Sequence, residues 1–161
     1  MGEVEKRLKE LGISLPKKYK KGEGVLPLRR FNDLLFISGH GPLDENNKPV
    51  YRGRVGSDLS VEEGYKAARL CGINILATIK NYIGDLDRID YIVKVLGFVN
   101  SANNFTDQPI VMNGFSDLMV EILGERGKHA RSAVGALSLP DNIPVEVEVI
   151  VKIRLFLKLS G

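Results

Sequence analysis

Residues 144–157 read Pro144-Val145-Glu146-Val147-Glu148-Val149-Ile150-Val151-Lys152-Ile153-Arg154-Leu155-Phe156-Leu157. Val145, Val147, Val149, Val151, Ile153, Leu155 and Leu157 occupy every second position, and Glu146, Glu148, Lys152 and Arg154 fall between them. A period of two sends alternate side chains to opposite faces of a pleated strand. The pattern therefore predicts a long strand over 145–157 with one dry face and one mostly polar face. A polar face of this kind suits a solvated surface and a wet subunit interface equally well.

Upstream, 131–138 is a further strand candidate, predicted to form a hairpin with 145–157. Ile92 to Val99 is apolar except for Lys94, which predicts a strand buried on both faces. Between these two lies a helix over about 110–123. Pro109 sits near its start, Thr106 or Asp107 is available as the cap, and Gly124 marks its end. The plainest helix signal is Ser60-Val61-Glu62-Glu63, a capping box in which Ser and Glu satisfy each other's backbone N–H. Val61, Tyr65, Ala68, Cys71, Ile75 and Ile79 then recur every three or four residues up to about Tyr82, with Gly84 as the stop. Cys71 lies on this apolar stripe and reads as core. Nearer the start, 25–30 and 34–38 form a hairpin candidate around Phe31-Asn32-Asp33, and 39–56 is a loop with a short strand near Val50-Tyr51. Residues 3–11 make a short helix with Val4, Leu8 and Leu11 on one stripe, and Lys17 to Gly24 is linker. The order β-β-α-β-α-β-β predicts a two-layer α+β domain with two helices packed on one face of a mixed sheet.

Composition bounds the function. With 161 residues the chain has the length of one domain, divided here into a basic arm over 1–23 and a body over 24–161. The net charge of +3 is unevenly placed: residues 1–22 carry +4 and the remainder −1. Such an arm can contact RNA or another anion, or it can be a solvated helix and linker. A single cysteine excludes an intrachain disulfide and a cysteine-based zinc site. No apolar run reaches the ~20 residues of a membrane span, and the N-terminus lacks the apolar core of a secretory signal. The expectation is a soluble cytoplasmic protein without membrane association.

Much familiar chemistry is missing. His40 and His129 are the only histidines and lack metal-ligand spacing, so no metal and no cofactor are expected. Gly124-Glu125-Arg126-Gly127-Lys128-His129 has too few residues between its glycines for a phosphate-binding loop. What remains is Asn113-Gly114, Ala130-Arg131-Ser132, Leu139-Pro140 and Pro144-Val145-Glu146-Val147-Glu148. A guanidinium at the mouth of an apolar strand needs a partner, and its rigid fork matches a carboxylate. That partner is either a structural acid of the same chain or an anionic ligand beside Glu146, which could organise a water.

These segments resemble the Rid family, also called YjgF or L-PSP endoribonuclease-like, with a chorismate-mutase-like fold, and in particular a longer branch of it. Ile37-Ser38-Gly39-His40-Gly41-Pro42, Leu96-Gly97-Phe98-Val99-Asn100-Ser101, Phe105-Thr106-Asp107-Gln108-Pro109, Asn113-Gly114, the 129–135 segment and the 144–148 segment carry the likeness over about 24–157. It implies a homotrimer with ligand clefts between subunits and hydrolysis of 2-imino or enamine acids to 2-keto acids and ammonia. Arg131 falls on the arginine that grips the substrate carboxylate and Glu146 on the acid near the water. Asn113, Ser38, Gly39 and His40 fall on substrate-binding positions. Two departures stand out. The tyrosine of active deaminases falls near Val25, which has no hydroxyl, and His40 replaces a glutamine, so it either lines the cleft or bonds to backbone. The resemblance also carries two other functions: an endoribonuclease or translation-inhibiting RNA binder, and a module that binds small carboxylates without turnover.

Overall fold

Ser60 opens α2 (Val61–Ile83) with the expected capping box, its hydroxyl accepting from the Glu63 N–H at 3.1 Å while Glu63 accepts from the Ser60 N–H at 2.8 Å. Gly84 (φ 81°) closes the helix. Ala68, Cys71, Ile75 and Ile79 on this helix are buried as predicted. The computed structural model describes residues 1–17 and 23–155. Within them the chain also forms α1 (Glu3–Glu10), β1 (Leu28–Phe31), β2 (Leu34–His40), β3 (Ile89–Asn100), α3 (Gln108–Leu123), β4 (Ala130–Ala136) and β5 (Val145–Ile153). The α+β order is the predicted one, preceded by the expected short helix α1, and none of these helices is long and apolar enough to cross a membrane.

The sheet order is β1-β2-β5-β3-β4, antiparallel except for the parallel pair β3 and β4. Val145, Val147, Val149, Val151 and Ile153 are all buried beneath the helices, as the alternation requires. The strand ends at Ile153, with Leu155 exposed and Leu157 outside the described residues. Gly114 lets α3 approach α2 closely, because a Cβ there would overlap the carbonyl of Tyr65.

Four expectations are corrected. β4 and β5 form no hairpin, since β3 lies between them. Their connection carries Pro140 and Pro144, which lack ladder donors, and left-handed Asp141 and Asn142. β3 is buried on one face only, because the helices cover one side of the sheet; Lys94, Leu96 and Phe98 are half-buried on the other. A register shift between Ile92 and Lys94 keeps Ile92 and Val95 both inward, which an unbroken alternation would not. The open face is less polar than β5 alone suggests, since Phe36, Leu96, Phe98 and Val134 join Ile150 there. Finally, Val50-Tyr51 forms no strand; the loop makes isolated bridges instead, from Leu43 to Pro49 and from Val55 to Leu59 and Ser101.

The N-terminal stripe docks as its spacing predicts, with Val4 and Leu8 buried. Gly2 precedes α1 and offers no side-chain cap. The carboxylate of Asp87 supplies one from a distance, accepting from the N–H groups of Glu3 at 2.7 Å and Val4 at 2.8 Å. Glu5 pairs with Lys80 at 2.7 Å and Arg7 Nε donates to the Glu121 carbonyl at 3.0 Å. Lys18, Lys20 and Lys21 of the basic arm lie outside the described residues.

Replacing Asp87 with alanine should cost ~1–2 kcal/mol, the value of a helix cap, and should raise amide exchange in α1 before that in α2 or α3. Gly114→Ala should cost about 1–3 kcal/mol in chemical denaturation, because two helix backbones must separate to admit the methyl group.

Candidate functional site

Arg131 lies on β4, the edge strand, beside the buried Val95 of β3. That register aims its side chain toward the helix layer. There one Nη donates to Asn113 Oδ1 at 3.0 Å and to Ser116 Oγ at 3.0 Å, and the other donates to the Pro109 carbonyl at 3.2 Å. Asn113 and Ser116 meet the same guanidinium because residues three apart share a helix face. All three acceptors are neutral, and among the described residues Arg131 forms no ion pair. The two possibilities left open by the sequence are thereby narrowed: no described acid of the chain neutralises this cation. A guanidinium has about five N–H donors. These contacts use three of them, so Nε–H and one Nη hydrogen are left without an acceptor among the described residues.

Behind the arginine stands a second layer that the sequence reading missed. Ser116 Oγ lies 2.9 Å from His129 Nε2, and His129 Nδ1 lies 2.7 Å from the Gly127 carbonyl. A carbonyl only accepts, so Nδ1 carries the hydrogen and Nε2 accepts from the Ser116 hydroxyl. The Phe115 ring meets the imidazole edge-on, with centroids 5.9 Å apart. Burial holds His129 below the usual imidazole range; its bond to Gly127 opposes that and the Arg131 cation adds to it. The available signal was spacing: Asn113 and Ser116 at helical separation, His129 and Arg131 two apart on an extended chain.

The other predicted residues cluster elsewhere. Glu146 lies on β5 opposite Phe98, on the face away from Val145 and Val147. Its carboxylate packs over Gly39, where any Cβ would overlap it. Gly39, Gly41, Leu43, Pro140, Asp141, Ile143 and Glu146 line a cavity of about 180 Å³. Ser38 donates to the Leu26 carbonyl at 2.7 Å. It borders a larger open-face hollow of about 490 Å³ with Val25, Phe36, Lys94, Leu96 and Glu148. His40 goes the other way. Its ring is buried, with Nδ1 2.6 Å from the Ser38 carbonyl and Nε2 2.8 Å from Thr78 Oγ1 of α2, which matches the backbone-bonded alternative. Cys71 is buried near Val145, and burial pushes its thiol well up, with Glu146 adding to the shift.

Arg131 with Asn113 thus forms one cluster and Gly39 with Glu146 another, while Ser38 borders the separate, larger hollow. Within one chain they face opposite sides of the sheet, on strands separated by β3. Among the described residues no group of three or more His, Cys, Asp or Glu is placed to hold a metal ion.

The chain resembles known proteins along most of its length. Protein TCP17 of Trypanosoma cruzi is 37% identical over 95% of this chain and 96% of its own. The mitochondrial protein MMF1 of Saccharomyces cerevisiae is 31% identical over 74% of this chain and 68% of its own. The crystal structure of Atu1372, a protein of unknown function from Agrobacterium tumefaciens, superposes with a TM-score of 0.87 at 42% identity, covering 94% of each chain. A Shewanella oneidensis structure described as a "putative endoribonuclease" reaches a TM-score of 0.90 at 32% identity, covering 94% of this chain and all of that one. Residues 5–153 match the family described as "YjgF/chorismate mutase-like, putative endoribonuclease", and the protein belongs to that family.

Proposed function

We propose that this protein hydrolyses reactive 2-imino or enamine acids to 2-keto acids and ammonia, with Arg131 holding the substrate carboxylate. The observation that carries this reading is the guanidinium itself: clamped by three neutral oxygens, balanced by no described acid, and left with two N–H donors that no described residue accepts. A carboxylate received there gains paired charge-assisted hydrogen bonds and a fixed orientation. A protonated imine is already electrophilic, so placement and proton handling suffice. Water attacks the C=N carbon, and the π electrons move onto nitrogen as the new C–O bond forms. Glu146 takes the proton that water loses. Glu146 passes that proton to nitrogen, and the C–N bond then breaks as the hydroxyl proton returns to Glu146 and the carbonyl forms, releasing ammonia.

In this proposal the two clusters belong to one site assembled from two copies of the chain. β4 offers an outer edge beside Arg131 that no described strand pairs, and the open face bearing Glu146 holds Phe36, Leu96, Phe98 and Val134, a surface suited to burial against another copy. A homotrimer, as the family resemblance implies, places one such cleft at each boundary. Light scattering should give three times the 17.8 kDa chain mass; a monomer that nevertheless turns over imines would refute the shared cleft.

Imines generated in place by an amino-acid oxidase supply the assay, with keto-acid release as the readout. Arg131→Ala should raise KM about 10–100-fold, and Arg131→Lys should recover little of it because lysine lacks the planar fork. Glu146→Gln should lower kcat by ~10²–10⁴ with a smaller change in KM. Wild type and Arg131→Ala being equally inert would reject the assignment. If pyruvate raised Tm in wild type only and no imine were consumed, a carboxylate-binding module would replace it. RNA cleavage lost in Arg131→Ala would replace it with the activity in the family's description.

A further inference from the structure

We infer that Ser116 and His129 are positioning residues that aim the unpaired donors of Arg131, tying the carboxylate site to the proton on a half-buried imidazole. The inference rests on Arg131 being the carboxylate anchor, and it assigns a role to two side chains that touch no substrate. The hydrogen bonds run one way. Arg131 Nη donates to Ser116 Oγ at 3.0 Å, the Ser116 hydroxyl donates to His129 Nε2 at 2.9 Å, and His129 Nδ1–H donates to the Gly127 carbonyl at 2.7 Å. Each link sets the next. The Gly127 carbonyl selects the tautomer, the tautomer turns the serine hydrogen away from the arginine, and the serine lone pair is left to receive Nη. With Asn113 and Pro109 on its other donors, the guanidinium can neither rotate nor withdraw without breaking a charge-assisted bond.

The same chain couples charge. His129 is enclosed by Phe115 and Ser116 of α3, by Gly127 and by Arg131 of β4. The other charged groups of these elements are engaged elsewhere. Lys128 pairs with Glu125 at 2.6 Å, and Arg126 donates to the carbonyls of Asp87 and Ile89. Asp117 accepts from Tyr65, and Glu121 pairs with Arg69 at 2.7 Å. Arg131 is thus the cation that acts on the imidazole. Placing a carboxylate on Arg131 offsets that cation and makes His129 easier to protonate. Reciprocity then requires the carboxylate to bind more tightly as pH falls through the His129 titration. The clamp survives protonation, because the serine oxygen has lone pairs for both Nη and an Nε2–H donor.

Pyruvate, the simplest 2-keto acid, is the probe, titrated by calorimetry and by histidine NMR between about pH 5 and 8. In wild type the His129 titration should move upward on binding, and in Arg131→Ala it should not respond to pyruvate. Ser116→Ala should weaken pyruvate binding about ten-fold, the worth of one hydrogen bond to a charged group, and Ser116→Thr should restore it. His129→Gln should lose the tightening of pyruvate binding at low pH, a loss that damage to packing alone would not mimic. Binding by Ser116→Ala equal to wild type, or a His129 titration indifferent to pyruvate, overturns the inference while leaving Arg131 as the anchor. If wild type and Arg131→Ala bind alike, the anchor reading fails. Exchange of the Arg131 Nε–H with water then decides the positioning role alone: faster exchange in Ser116→Ala upholds it, and equal exchange overturns it.

Discussion

Burial of the β5 valines beneath α2 and α3 is the constraint from which the remaining arrangement follows. With Val145, Val147, Val149 and Val151 facing the helices, Glu146 and Glu148 must face away from them. Because β3 pairs with β5 in fixed register, Phe98 and Leu96 follow those acids to the open side and Val95 follows the valines inward. Because β4 pairs with β3, Arg131 follows Val95. A register slip of one residue in β5 would exchange the two faces and drive two glutamates into the core.

Arg131 is tolerable on the dry side only because it stands at the margin of the helix layer, on the edge strand. A guanidinium without an acid is costly when fully enclosed and cheap when water reaches part of it. Half-buried, with three oxygens on its inner hydrogens, it keeps its charge at no great cost. His129 behind Ser116 suits the same economy, since partial burial and the neighbouring Arg131 cation both hold its imidazole below the usual range. The opposite cluster has the complementary sign, with Glu146 held over Gly39 beside a small cavity.

Much of the fold was legible because local rules and tertiary packing agree where they meet. The capping box at Ser60 and Glu63, the stop at Gly84 and the alternation of β5 are local signals, and each appears where its residues stand. The β3 reading failed because a nearly unbroken apolar run looks alike whether one face or two are covered; Lys94 was the hint. The β4–β5 hairpin failed because nearness in sequence is a poor guide once a helical crossover places β4 on the far side of β3. His129 and Ser116 escaped notice because their bond joins α3 to the start of β4, and no single-element period reports it.

By itself the sequence determined which residues are apolar at which period, where helices begin and end, and that a lone arginine stands amid small side chains ahead of a Val-Glu alternation. Those are properties of the chain within a dozen residues. Only the tertiary structure decided that β3 separates Arg131 from Glu146, that His40 bonds Thr78 within the core, and that the guanidinium meets neutral oxygens and no described acid. The physical reason is that strand order and face depend on pairings between distant segments, and a charge's surroundings are set by whatever those pairings bring beside it.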